Sequence, residues 1–283
     1  MTLGTYQFEF RGVAFGSGTP YIVERIDGLG TPALRVQDDN RGYIDGAYSG
    51  RDFFEGRTVT FNMLIIGDSN KSAQSYLRDF RVAMTPQVQG LYPDPYQGSQ
   101  PSDTTLNLFQ YQLNSESYSD TTINGIKRMW GRVRNITTPV DPDYTFGYIA
   151  VQVEFYFPDP RYYDDTAKTA SGTTGVALAN NGWAATCPAI TIASPSASGA
   201  IWDTITGSRM NFSNVNTSYP LVIDLLQRTI TQNGVPARNT LAYFDNVTSG
   251  NTVQGWLSIA ANYAPTWSST LGSMAITYRN AYI

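Results

Sequence analysis

Three groups of carboxylates are the first residues in this sequence that could do chemistry: Asp38-Asp39, Asp141 with Asp143, and Asp159 with Asp164 and Asp165. A pair at the right separation would serve a glycosidase as acid and as nucleophile or base, and a denser set would ligate Ca²⁺. Each group lies beside Gly, Asn or Pro, where an Asp side chain bonds its own backbone in a turn, and none has the EF-hand spacing. Turn and cap chemistry is therefore the stronger reading. Histidine is absent, which removes Ser-His-Asp and Cys-His catalysis and every His-ligated metal site. Cys187 is the single cysteine, so neither an internal disulfide nor a cysteine-rich metal site can form. No cofactor or metal is implied, and no enzymatic activity is expected.

Two other groups could bind rather than react. Trp183, Trp202, Trp256 and Trp267 all lie in the last part of the chain. An exposed indole beside Asn or Asp can stack on a sugar ring, whereas a sandwich of two sheets needs large apolar side chains between them. Trp202 and Trp256 read as core. Trp183 and Trp267, each next to turn residues, are the candidate glycan contacts. Arg128, Arg132 and Arg134 alternate on a strand with Trp130. Nucleic acid is a poor partner for them, because the chain carries a net charge of −4 and a pI near 4.8 with no basic run. Ion pairing, within the sheet or across a subunit boundary, is the better expectation.

The elements that must position these residues are mostly short strands. At 283 residues the chain suits two domains, each able to bury a core. Tyr6, Phe8 and Phe10 alternate with polar residues, Tyr21–Ile26 reads as a second strand, and Arg57–Ile66 is the clearest strand. Ser72–Met84 is the one convincing helix, with Ala73, Tyr76, Leu77, Phe80 and Met84 on one face. Ser69 or Asn70 is placed to cap it and Pro86 to follow it. The Phe53–Ile66 segment and this helix supply most of the apolar side chains of the first half and are expected in its core. Gln37–Gly50 reads as a polar turn region, and Leu91–Ser102 as a Pro-rich extended loop whose Leu91, Tyr92 and Tyr96 could bury against a neighbouring subunit. After Val151–Phe157, another alternating strand, Pro158 and Pro160 stop pairing.

The composition breaks at Asp165. Residues 1–165 hold 14 basic and 20 acidic residues, net −6, while residues 166–283 hold five basic and three acidic, net +2. The second part shows seven or eight short strands at roughly 8–12-residue spacing, including a hairpin at Thr206-Gly207 and a tight turn at Asn233-Gly234, the pattern of an antiparallel β-sandwich. The start of the sequence has neither the basic nor the apolar region of a secretory signal. No stretch is apolar enough to span a bilayer, so no membrane insertion is expected.

The order of these motifs resembles one family. Asp45-Gly46, Gly56-Arg57 at the entry to a long strand, the single helix before Pro86, Gly131-Arg132-Val133 and the Phe157–Tyr163 run into Pro-Asp-Pro-Arg-Tyr-Tyr are similar to the N-terminal domain of distal tail proteins of long-tailed bacteriophages. Asn181-Gly182, Pro188–Ile192, Thr206-Gly207, Ile223-Asp224, Arg228-Thr229 and Asn233-Gly234 follow the order of that family's second domain. Leu271-Gly272-Ser273 departs from the family's Pro-Gly-Ser-Asn. The resemblance implies a mainly β protein: a split β-barrel with one helix over residues 1–165, then a galectin-like sandwich over 166–283. It also implies a structural virion protein of the tail tip, a ring of six copies joining the tail tube protein to the tail-tip hub or tail-fibre protein. Such a ring is assembled in the host cytoplasm. Arg128, Arg132 and Arg134, with Leu91, Tyr92 and Tyr96, would then be inter-subunit contacts. The alternative is a carbohydrate-binding module that attaches to host surface saccharides, and a glycosidase is a third and weaker reading.

Overall fold

The structure is a computed structural model and describes residues 3–41, 45, 47–50, 52–69, 71–85, 106–113, 125–138, 147–246 and 255–283. The chain divides into two compact units, Met1–Tyr162 with Ile283, and Tyr163–Tyr282.

In the first unit, β1 (Gln7–Phe10) turns through Arg11-Gly12 into β2 (Val13–Gly16). Both turn residues have positive φ, 51° and 79°, the two-residue geometry whose twist matches that of the flanking strands. Then come β3 (Tyr21–Asp27), β4 (Leu34–Arg35), β5 (Asp38–Asn40), β6 (Ala47–Ser49), β7 (Phe53–Phe54), β8 (Arg57–Ile66), the helix α1 (Ala73–Met84), β9 (Asn107–Gln112), β10 (Lys127–Thr137) and β11 (Tyr148–Phe157). The long strands join antiparallel in the order β2-β1-β9-β10-β11-β8-β3. The ladder is open between β3 and β2, so the barrel is split.

Strict alternation decides which face is buried, because successive side chains point to opposite sides of a strand. Val59, Phe61, Met63 and Ile65 of β8 lie opposite Phe155, Val153, Val151 and Ile149 of β11, and all eight are buried. Phe8, Phe10, Phe15, Phe109 and Phe157 complete an aromatic core with them. The helix buries Ala73, Leu77, Phe80 and Met84 against it. Its N-cap is Ser72, whose Oγ accepts from the Ser75 amide at 3.3 Å. Ser72 immediately precedes the first helical turn, which Ser69 and Asn70 do not. Arg11 Nη1 donates to the Ala83 and Thr85 carbonyls, each at 3.1 Å, and so satisfies acceptors that the helix end leaves open.

One group in this core sets an alkaline limit. The Tyr21 hydroxyl donates to the Tyr76 carbonyl at 3.2 Å. Burial, then the Asp79 carboxylate and Tyr76, push its pKa up to about 12. Below the ordinary tyrosine pKa of about 10 the phenol is neutral in both states. Between there and 12 the unfolded chain ionises first, so stability falls as pH rises through that window. Thermal melting of Tyr21→Phe is expected to decline less steeply than wild type from pH 10 to 12, and parallel declines would contradict this.

Strand β12 (Tyr162–Asp164) leads into the second unit. There the strands are β13 (Lys168–Gly172), β14 (Val176–Ala177), β15 (Ala189–Ile192), β16 (Gly199–Asp203), β17 (Ser208–Phe212), β18 (Leu221–Asp224), β19 (Thr229–Gln232), β20 (Val235–Pro236), β21 (Leu241–Asn246), β22 (Thr266–Ser269), β23 (Met274–Tyr278) and β24 (Ala281–Tyr282). Two antiparallel sheets, β13-β23-β15-β18-β19-β20 and β14-β22-β16-β17-β21, face each other across a core that includes Ile190, Ile223, Met274, Ile276, Ile201, Met210 and Trp267. Asn233-Gly234 joins β19 to β20, and the Asp203 carboxylate accepts from the Ile205 amide and the Thr206 hydroxyl, both at 2.9 Å, to shape the β16–β17 turn. The fold is mainly β, antiparallel throughout these sheets, with a β-sandwich in its second unit.

Candidate assembly surface

Between β3 and β8 the chain leaves the barrel as an arm. Its root is pinned at two points. Gly28 has φ +94°, and a Cβ there would overlap the Thr58 carbonyl oxygen. Arg57 is buried, and its Nη1 donates to the Leu29 carbonyl at 2.7 Å while the Tyr162 ring lies 5.7 Å from its Cζ. Burial lowers the pKa of this guanidinium, against the opposing influence of Tyr111 and Tyr162. Among the described residues its Nε and Nη2 have no acceptor.

The arm runs out as two short ribbons, β4 with β7 and β5 with β6. Leu34 lies opposite Phe54 and Arg35 opposite Phe53. The two pairs point to opposite faces of the ribbon, because side chains alternate. Arg35 covers Phe53, its Cζ 5.4 Å from the ring centre. The other face is bare: Leu34, Val36 and Phe54 are 51%, 55% and 44% exposed. Phe53 and Phe54 are therefore surface residues, contrary to the expected core placement of the whole Phe53–Ile66 segment. A two-residue strand in a lone ribbon has no second layer to cover it. Gln37–Gly50, read as a polar turn region, supplies β5 and β6 instead, and the Gly50 amide donates to the Gln37 carbonyl at 2.7 Å.

The three strand arginines lie on β10. Arg132 and Arg134 are exposed and Arg128 is half-buried. Arg132 and Arg134 sit over the Tyr156 ring at 5.7 and 5.2 Å, and Arg134 Nη1 is 3.9 Å from Glu154 Oε1 on the next strand. A partly exposed pair at that distance contributes little to stability, which leaves most of this charge directed outward. Further along the same outer face, Ile22, Leu64 and Ala150 form one cross-strand row and Ile66 and Tyr148 the next. Ile22 and Tyr148 are exposed. Leu91, Tyr92 and Tyr96 lie outside the described residues.

The two candidate glycan contacts part company. Trp183 is 53% exposed, with the Tyr282 ring edge-on at 6.4 Å. Trp267 is 0% exposed and belongs to the sandwich core. It faces inward from β22 opposite Val176 and Asp203, so it offers no surface to a sugar. Trp202 and Trp256, expected in the core, are half-buried, with Arg209 and Arg238 over their rings at 5.8 and 5.1 Å.

The described carboxylates hold backbone and neighbouring side chains. Asp159 Oδ1 accepts from the Arg161 amide at 3.2 Å and from its Nε at 2.7 Å. Asp164 Oδ2 accepts from Asn280 Nδ2 at 2.8 Å and from the Tyr282 hydroxyl at 3.2 Å, and Arg279 donates to the Asp164 and Asp165 carbonyls. Asp38 and Asp39 lie on β5; Asp141 and Asp143 lie outside the described residues. Among the described residues no group of three or more His, Cys, Asp or Glu could hold a metal ion, and no helix is long and apolar enough to cross a membrane.

No family model and no curated protein matches this chain. Solved structures do. The SPP1 Dit (gp 19.1) protein, described as a paradigm of the hub adsorption apparatus of phages infecting Gram-positive bacteria, matches with a TM-score of 0.63 at 13% identity, over 99% of this chain and 100% of that one. A chain of the phage P2 baseplate, in its activated conformation with Ca, matches with a TM-score of 0.50 at 9% identity, over 97% of each. The resemblance to distal tail proteins drawn from the sequence holds at the level of the fold.

Proposed function

We propose that this chain is a structural protein of a phage tail tip and that its first unit closes a ring, six copies to the turn, between the tail tube protein and the tail-tip hub or tail-fibre protein. The second unit is a sandwich scaffold carried by that ring, in the mature virion. The observation that supports this reading is the shared fold with SPP1 Dit along the full length of both chains. The bare arm and the outward arginines of β10 give the first unit surfaces for assembly. The reading needs no catalytic group. Native mass spectrometry of the full chain is the test: a hexamer is expected, and a strict monomer at micromolar concentration would refute it.

A second reading rests on Trp183. An exposed indole beside Asn181 suits a saccharide of the host surface, which the same tail-tip protein could grip. A glycan-array signal that disappears in Trp183→Ala would support it, and an unchanged signal would end that role for Trp183.

A further inference from the structure

Arg57 opens β8 on its buried face, 2% exposed and opposite Phe157 of β11. Its guanidinium has two working edges. Nη1 donates to the Leu29 carbonyl at 2.7 Å, which uses one of them. Nε and Nη2 form the other, a planar fork whose N–H groups point the same way. Both of these nitrogens are buried without an acceptor among the described residues, and no carboxylate there pairs with Arg57. The Tyr162 ring lies 5.7 Å from Cζ, and the Tyr111 ring stands edge-on to Tyr162 at 6.2 Å. Burial pushes the Tyr111 phenol pKa up, so this neighbour stays neutral and brings no negative charge. Burial also works against the charged form of Arg57, but a guanidinium does not give up its proton in a protein. A buried charge without a partner is costly, and two donors without acceptors add to the cost.

We propose that the Nε–Nη2 edge of Arg57 is a binding site for one small carboxylate anion, of the size of formate or acetate. The parallel N–H groups match the two oxygens of a carboxylate, and the bonds they make to it are charge-assisted. The anion supplies the missing counter-charge and both missing acceptors at once. Small size is required because the edge is buried. The segment beside it can yield to a small ion: Leu29 is half-buried and stands between Gly28 and Gly30, and a Cβ at Gly30 would meet nothing within 4 Å. Glycine restrains the backbone least there. The same guanidinium holds the Leu29 carbonyl, so filling the site fixes the anchor at the root of the arm. The site lies within one chain, and a monomer holds it as well as a ring does. Its test is therefore separate from that of the ring.

Hydrogen exchange of the full chain tests the site, with sodium formate titrated against sodium methanesulfonate at constant ionic strength. Exchange in peptides covering residues 27–31 and the start of β8 should slow several-fold and saturate, as expected of a ligand that binds the folded state alone. Carbon-13 formate should show saturable binding by NMR under the same conditions. Phosphate, larger and without the planar pair of oxygens, should do neither. Arg57→Lys keeps the charge and loses the fork, and Arg57→Met loses both. Each should abolish the formate response. Arg57→Met should also exchange faster at residues 27–31 from the start, because the Leu29 carbonyl loses its donor. Should Arg57→Met fail to fold, Arg57→Lys decides alone. A wild type that neither binds formate nor changes its exchange overturns the inference. A response as large in Arg57→Lys as in wild type overturns it as well, since formate then acts elsewhere. Phosphate as effective as formate overturns the assignment to a carboxylate.

Discussion

Phe155→Ala is expected to cost the first unit about 3–5 kcal/mol, the range for truncating a fully buried phenylalanine. The Phe155 ring lies 5.0 Å from Phe10, 5.6 Å from Phe61 and 5.2 Å from Phe109, with Phe15 and Phe157 both at 6.3 Å. Five rings from β1, β2, β8, β9 and β11 thus meet around one side chain. Neighbours held in paired strands cannot collapse fully into the space left behind, and the cavity adds to the lost transfer energy. Phe155→Leu, which keeps most of the volume, should cost less than about 1.5 kcal/mol. Urea unfolding with hydrogen exchange in peptides covering β8 and β11 reads the effect within this unit. A loss below about 1 kcal/mol for the alanine variant would mean that the five rings are not packed around Phe155 as described.

Trp267→Ala should have a comparable effect on the second unit, again about 3–5 kcal/mol. Trp267 is the largest fully buried side chain in the structure, and it faces inward between the two sheets. Its indole N–H finds no acceptor among the described residues, and an unsatisfied buried donor carries a desolvation cost. Trp267→Phe removes that donor along with some volume, so it is expected to lie within about 1.5 kcal/mol of wild type. Hydrogen exchange in β16 and β22 is the measurement. A Trp267→Ala protein as stable as wild type would place the residue at the surface. Any sugar binding lost in that variant would reflect an unfolded sandwich rather than a missing contact.

The barrel core was legible because β8 and β11 alternate without interruption, and a period of two fixes the buried face once the strand is recognised. The single helix was legible for the same kind of reason, its apolar spacing at three and four residues. The arm was not. Its strands are two or three residues long, too short for any period, and Gln37–Gly50 carries the Asp, Asn and Gly content of a turn. Phe53 and Phe54 adjoin β8 in sequence, so apolar character alone placed them in the core. Hydrophobicity does not distinguish a side chain buried in its own unit from one left for a partner. Trp267 misled in the opposite direction. Pro265 and the serines that follow it suggested a turn, yet β22 begins at Thr266 and the alternation of that strand turns the indole inward. The arginines at 128, 132 and 134 were placed on one strand face by their spacing. The stacking of Arg132 and Arg134 on Tyr156 depends on a residue 22 or more positions away, which only the register of β10 with β11 brings near.

The ring itself is the central claim. Negative-stain images of the purified full chain test it most directly. Closed rings with six-fold class averages and a central opening are the result this account predicts. Single particles at micromolar protein, with no closed assembly in any class, would contradict it.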